Sequence, residues 1–223
     1  MSDNKKNLNQ ITAESTEKLM NGSITEDEWY QINKLATAEA YTSREEPHQQ
    51  CGHTGTEETW VYSRIKPLLE ILYKSGTFID IGCANGYICE SLYKWTKNSP
   101  IDIEYYGMDI CEELISIAKE RQPDFVDNYY VGNILDWVPP IKFDYVRTYT
   151  LNALPKYRQK ELVDNLYTNY LKSKGRLIIG SYTEVADVDT VSELVYSLGY
   201  SISGYLKKSY GNNERKLIWI DKP

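Results

Sequence analysis

From Thr77 onward, short apolar runs alternate with stretches of helical period, and few folds are open to a chain written that way. The runs are TFIDIG, IEYYGMD, NYYVGN, FDYVRTYT and GRLIIGSY, and helical patterns fall between most of them, at 86–96, 112–121 and 156–171. Leu114, Ile117 and Ala118 mark the buried stripe of the second pattern, which stops before Pro123, and Pro155 opens the third. Strands separated by helices predict parallel βαβ units in a doubly wound, mostly parallel α/β sheet, a three-layer αβα fold. The last segment breaks the rhythm. A helix at about 188–198, with Val191, Leu194, Val195 and Leu198 on one face and Gly199 after it, leads into YSISGYLKK, a YGNN turn and RKLIWI. Two strands joined by a Gly-Asn turn should pair antiparallel.

The segment before Thr77 reads differently. Residues 1–10 are polar and are expected to lack order. In ITEDEWYQINKLATAEAY, Thr25 and Glu28 have capping-box spacing, Ile24 and Trp29 have staple spacing, and Trp29, Ile32, Leu35 and Ala36 recur at helical intervals. That predicts a helix over about 26–40. TSREEPHQQCGHTGT holds Pro47, Gly52 and Gly55 and reads as a loop. Thr56 then caps a second helix, with Glu57 and Glu58 at its positive end and a stripe of Val61, Ile65, Leu68, Leu69 and Leu72. Pro67 should kink it. The expected division is a helical extension with a lid loop over 1–56 and a main domain over 57–223.

Charge narrows the partners. The formal charge is −7, and residues 1–60 hold five basic against eleven acidic side chains, so six of the seven excess negative charges lie there. An acidic chain repels polyanions, which argues against nucleic acid and anionic membranes and for a small molecule or a protein. The four cysteines form no CxxC pair, which suits a reducing, cytoplasmic setting. No apolar run approaches the roughly 18–20 residues that would span a bilayer.

The stretch FIDIGCANGYICESL carries the chemistry. An open parallel sheet delivers the end of its first strand to the crevice where ligands bind. Gly82 and Gly86 let the backbone turn closely around a ligand, and the helix that follows points free N–H groups at it. A nicotinamide dinucleotide would want G-x-G-x-x-G, whereas the string here is Gly82-Cys83-Ala84-Asn85-Gly86-Tyr87. Asp80, two residues before the turn, would share a poorly hydrated pocket with a pyrophosphate, so an ammonium-bearing ligand suits it better. Asp109 ends the next strand, where a carboxylate either caps the following helix or accepts from ribose hydroxyls. Asn133 with Ile134, in VGNILDW, offers a polar edge and an apolar face to a purine.

Taken together, FIDIGCANG, YGMDI, VGNILDW and FDYVRT resemble the successive motifs of class I S-adenosylmethionine-dependent methyltransferases, over about residues 57–220. The resemblance implies a Rossmann-like seven-stranded sheet with its last strand antiparallel. It also implies that Asp80 and the turn Gly82, Cys83, Ala84, Asn85 and Gly86 hold the methionine end of S-adenosylmethionine. Asp109 would bind the ribose, Ile110 would pack on the adenine, and Asn133, Ile134 and Leu135 would meet the adenine edge. The family's middle glycine is Ala84 here, which is tolerated if its φ is negative.

The acceptor side is less defined. The sulfonium is already a good electrophile, so the protein's main task is to exclude water and align the acceptor for an SN2 displacement that leaves S-adenosylhomocysteine. Arg147 and Thr148 are expected to face the cofactor, and Tyr149 and Asn152 the acceptor. The tetrapeptide that exocyclic-amine nucleic-acid methylases show after this strand is missing. His48, Cys51 and His53 have an H-x2-C-x-H spacing, but a fourth metal ligand is absent, and a surface loop or an active-site lid are the competing readings. Within a lid, His53 would serve as a base for an O–H or N–H acceptor. Trp60 and Arg64 either line the cofactor pocket or pack in the core, and Glu184 is a further candidate base or an exposed loop acid. The expected activity is methyl transfer to a small molecule. An rRNA or tRNA methyltransferase, with Lys142, Arg147, Lys156, Arg158, Lys172 and Lys174 on one rim, and a catalytically silent cofactor-binding subunit are the alternatives.

Overall fold

In a computed structural model, which describes residues 7–180, 190–210 and 213–223, seven strands form one sheet in the order β3-β2-β1-β4-β5-β7-β6. They are β1 (Gly76–Ile81), β2 (Ile103–Asp109), β3 (Tyr129–Val131), β4 (Phe143–Thr148), β5 (Leu171–Gly180), β6 (Gly204–Tyr210) and β7 (Asn213–Asp221). The pairs among β1 to β5 are parallel. Only β7 runs against its neighbours, between β5 and β6. The alternation that starts at Thr77 thus produces the parallel part, and the final hairpin produces the reversed strand.

Alternate side chains of each strand feed two cores. Phe78, Tyr105, Tyr145 and Ile178 pack on one face, beneath α3 (Glu57–Trp60), α4 (Lys66–Ile71), α5 (Tyr87–Thr96) and α6 (Glu112–Arg121). On the other face Ile79, Ile81, Met108, Val146 and Ile179 pack beneath α7 (Lys156–Asn165) and α8 (Thr190–Ser197). Both faces are covered, as a parallel sheet requires.

The N-terminal segment joins this second core. Helix α1 (Leu8–Met20), capped by Asn7 with Gln10, begins inside the stretch expected to lack order. Its partner α2 (Glu26–Thr42) starts on the Thr25–Glu28 capping box read from the sequence. Trp29 of α2 is only 3% exposed, lies among the sheet's apolar residues, and donates Nε1–H to Thr16 Oγ1 of α1 at 3.1 Å. Helix α2 then crosses the C-terminal edge of the sheet. Glu26 pairs with Arg158 of α7 at 2.8 Å near one end, and Ala38 and Tyr41 pack against Ile110 and Ala84 near the other.

Pro67 acts in an unexpected way. It cannot donate to the carbonyl one turn back, and between α3 and α4 the chain widens into a π-turn, Val61–Ile65, in which Lys66 N–H reaches Val61 O. A second π-turn, Leu166–Tyr170, closes the region read as one helix over 156–171.

Two stability predictions follow from backbone and charge. Ala84 has φ +49°, not the negative value under which alanine would be comfortable, so it occupies a region that suits glycine. Ala84→Gly is expected to stabilise the protein by about 0.5–1 kcal/mol in urea unfolding, the relief of strain exceeding the added chain entropy; a destabilised variant would contradict this. The second concerns Asp144, at the far end of the sheet from the glycine turn. Its Oδ2 accepts from Thr77 N–H at 3.0 Å and from Lys172 Nζ at 2.8 Å. Burial works to raise its pKa, but Lys172 and the Thr77 amide prevail and bring it down to about 2. A carboxyl held below its unfolded pKa stabilises the fold above that value and loses the effect as the pH falls. Stability should therefore drop between pH of about 4 and about 2, and Asp144→Asn should flatten that part of the profile. An unchanged profile would sink the assignment.

Candidate cofactor site

The site begins with two strand positions in register. Asp80 on β1 and Arg147 on β4 are partners across a parallel pair, both at the C-terminal end, and their side chains form a buried ion pair. They are 0% and 3% exposed. Arg147 takes Asp80 Oδ1, while Oδ2 is buried with no hydrogen-bond partner among the described residues. Burial raises the Asp80 pKa, and Arg147 opposes it. The ammonium-like partner anticipated for Asp80 is thus supplied in half by the protein itself, and one acceptor oxygen remains.

A small cavity lies beside that oxygen, walled by Cys51, Trp60, Arg64, Asp80, Gly82, Cys83, Ile88 and Arg147. Trp60 and Arg64, which sequence left between pocket and core, both line it. The π-turn carries Arg64, whose guanidinium lies 4.7 Å from the Tyr149 ring centroid; that of Arg147 lies 4.2 Å from the same ring. Tyr149 is 2% exposed, so it forms the floor beneath two cations. Asn152 is exposed. Trp60 stacks on Tyr87 with ring centroids 5.5 Å apart, and its Nε1–H is buried with no partner among the described residues.

The glycine turn closes the second side. Gly82 has φ +76°, and a Cβ there would collide with the Thr150 methyl, so the position admits only glycine. Asp109 ties the turn to the next strand: Oδ2 accepts from Ala84 N–H at 2.8 Å and Oδ1 from Cys111 N–H at 2.9 Å. Burial raises its pKa, and those two amides pull the other way. Asp109 is therefore a cap and a tether. Each carboxylate oxygen can still accept a second bond, so ribose hydroxyls are compatible with it. Ile110 is half-buried against Ala38 and Tyr41, and Asn133 Oδ1 accepts from Leu135 N–H at 3.1 Å in a local turn, with Ile134 and Leu135 packed on the core.

Not every expected residue converges. Asn85 does not reach into the cavity chemistry; it is fully buried and its Nδ2 donates to Pro47 O at 2.9 Å and Gln50 Oε1 at 3.2 Å. His53 stands behind Trp60, with ring centroids 5.6 Å apart, and its Nε2 meets Thr59 Oγ1 at 2.7 Å. Because Thr59 Oγ1 donates to Thr56 O, His53 Nε2 carries the shared proton and Nδ1 is the basic nitrogen. His48 Nε2–H donates to Gly55 O, Cys51 donates to backbone carbonyls, and among the described residues no group of His, Cys, Asp and Glu gathers to hold a metal. Glu184 lies outside the described residues. Two wall residues were missed. Ile88 sits in the first turn of α5, where the motif could have pointed to it, whereas Cys51 reaches the cavity through a loop that no periodicity marks.

These residues suit the methionine end of S-adenosylmethionine. Asp80 Oδ2 and the Trp60 indole N–H, both buried with no partner among the described residues, could meet an ammonium and an acceptor oxygen, and the Arg64 and Arg147 guanidiniums line the same cavity where a carboxylate could lie.

The comparisons agree. The family described as "Methyltransferase domain" matches residues 72–211. A protein from Pyrococcus horikoshii OT3 shares the fold at a TM-score of 0.58, with 19% identity, over 76% of this chain and 92% of that one. A TehB-like SAM-dependent methyltransferase from Corynebacterium glutamicum has the same score and identity, over 84% of this chain and 98% of its own. The magnesium protoporphyrin IX methyltransferase of Synechocystis, solved with bound SAM, aligns over 100% of both chains at 12% identity and a TM-score of 0.56. No curated protein matches in sequence. With well over half of its length matched, the chain belongs to the methyltransferase-domain family, the class I S-adenosylmethionine-dependent methyltransferases.

Proposed function

We propose that the protein transfers a methyl group from S-adenosylmethionine to a small-molecule acceptor, releasing S-adenosylhomocysteine. The observation that supports this is the distribution of positive charge around the cavity. A polyanionic acceptor would want the six basic residues named from sequence on one rim. Lys142, Lys172 and Lys174 instead fall at the starts of β4 and β5, the edge opposite the cavity. Arg147 is buried against Asp80, Arg158 is spent on Glu26 and Glu161, and Lys156 opens α7 on the cavity side of the sheet. The loop that brings Cys51 to the cavity wall belongs to the acidic N-terminal segment of the same chain. Among the described residues no helix is long and apolar enough to cross a membrane.

When bound, S-adenosylmethionine supplies an electrophilic methyl on a sulfonium. In this reading Asp80 Oδ2 accepts from its ammonium, Arg64 and Arg147 neutralise its carboxylate, and Asp109 accepts from the ribose hydroxyls. Ile110 and Asn133 to Leu135 hold the adenine. Trp60 and the Cys51 loop exclude water, so that alignment rather than acid–base chemistry supplies most of the rate. His53, although seated behind Trp60, is the proposed proton acceptor for an acceptor group that must lose a proton, with Tyr149 and Glu184 as the other candidates.

Two measurements check this reading. The purified protein incubated with S-adenosylmethionine and a metabolite library should release S-adenosylhomocysteine with at least one small molecule; release only with tRNA or rRNA would overturn the acceptor class. By calorimetry, Asp109→Ala should weaken S-adenosylmethionine binding at least about a hundredfold, the worth of two charge-assisted hydrogen bonds. Unchanged affinity in a folded variant would remove Asp109 from the site.

A further inference from the structure

The loop between α2 and α3 partly covers the cavity beside Asp80 through Cys51. Pro47 O and Gln50 Oε1 hold the Asn85 amide, and Glu57 Oε1 accepts from Tyr87 Oη at 2.8 Å. Asn85 Oδ1 accepts from Tyr87 N–H at 3.3 Å, so the same side chain also braces the start of α5. Cys51, from the middle of the loop, forms part of the cavity wall. The loop is itself tightly wound. Gln50 and Gly52 N–H donate to Glu46 and Gln49 carbonyls, and His53 N–H donates to His48 O at 3.1 Å. Gly52 turns it at φ +84°, and a Cβ there would lie 2.6 Å from Tyr41 Oη.

The empty space counts to about 250 Å³ with its mouth included, below the roughly 300–1,000 Å³ of pockets that take a drug-sized ligand. That leaves little room for a ligand the size of S-adenosylmethionine to pass the loop on its way to Asp80. We propose that residues 44–56 are a gate over the methionine end of the cofactor site, latched to the glycine turn by the Asn85 amide, and that the gate opens before cofactor enters. Asn85 is then a positioning residue that couples the turn to its cover, not a ligand of the cofactor. The inference rests on the cofactor site proposed above.

A gated site binds at a rate limited by opening once ligand is plentiful. In stopped-flow mixing of the full chain with S-adenosylmethionine, followed by tryptophan fluorescence with Trp60 in the cavity wall, the observed rate should rise and then level off. Gln50→Ala removes one latch bond and should raise the plateau roughly two- to tenfold, the worth of one hydrogen bond. Gly52→Ala, strained at φ +84° and crowded by the Tyr41 hydroxyl, should raise it as well. The effects of Gln50→Ala and Asn85→Ala should be non-additive, since both break the same contact. Without any ligand, hydrogen exchange at the amides of Gln50, Gly52 and His53 should quicken by a similar factor in Gln50→Ala.

An observed rate that climbs linearly with concentration overturns the gate, as does unaltered exchange in both Gln50→Ala and Gly52→Ala. If S-adenosylmethionine does not bind at all, the cofactor site fails, and the exchange measurement on the free protein still decides the gate.

Discussion

The arrangement turns on one interaction, the buried ion pair between Asp80 and Arg147. Taking two charges out of water is costly, and removing either partner would strand the other in the core. The pair is satisfied only when β1 and β4 lie side by side, parallel and in the observed register. Once it forms, Arg147 is fixed over Tyr149, the π-turn can bring Arg64 to the same ring, and Asp80 keeps one oxygen turned to the cavity. The charge pattern of the site is thus a product of strand order.

A second layer depends on the first. The glycine turn leaves β1 just after Asp80, Asp109 fastens it to the end of β2, and Asn85 fastens it to the loop above. Helix α2 leads into that loop, anchored by Trp29 in the core and by Glu26 on Arg158. The acidic N-terminal segment is therefore a working part of the site region.

Much of this was legible in the sequence because it is local. Capping boxes, the alternation of strand and helix, the reversed hairpin and the turn at Gly82 to Gly86 each depend on a few neighbouring residues, and the structure contains them. What depends on pairing between distant residues was not legible. Nothing in the chain says that Arg147, 67 residues on, would claim half of Asp80. Nor does a lone loop amide such as Asn85 announce whether it faces a ligand or a lid. Pro67 signalled a broken helix, but that the break would widen into a π-turn bearing Arg64 follows from packing. The φ of Ala84 is set by the turn it sits in and by Asp109, which accepts its N–H. The sequence could state only the condition, a negative φ, and the turn does not meet it.

The central claim is that the Asp80 oxygen left over by Arg147 is the acceptor for the cofactor's ammonium. A crystal structure of the protein with S-adenosylhomocysteine tests it most directly. The amino nitrogen is expected within hydrogen-bonding distance of Asp80 Oδ2, with the Asp80–Arg147 pair intact and the ribose hydroxyls on Asp109. An amino group bound elsewhere, with Asp80 touching Arg147 alone, would contradict it.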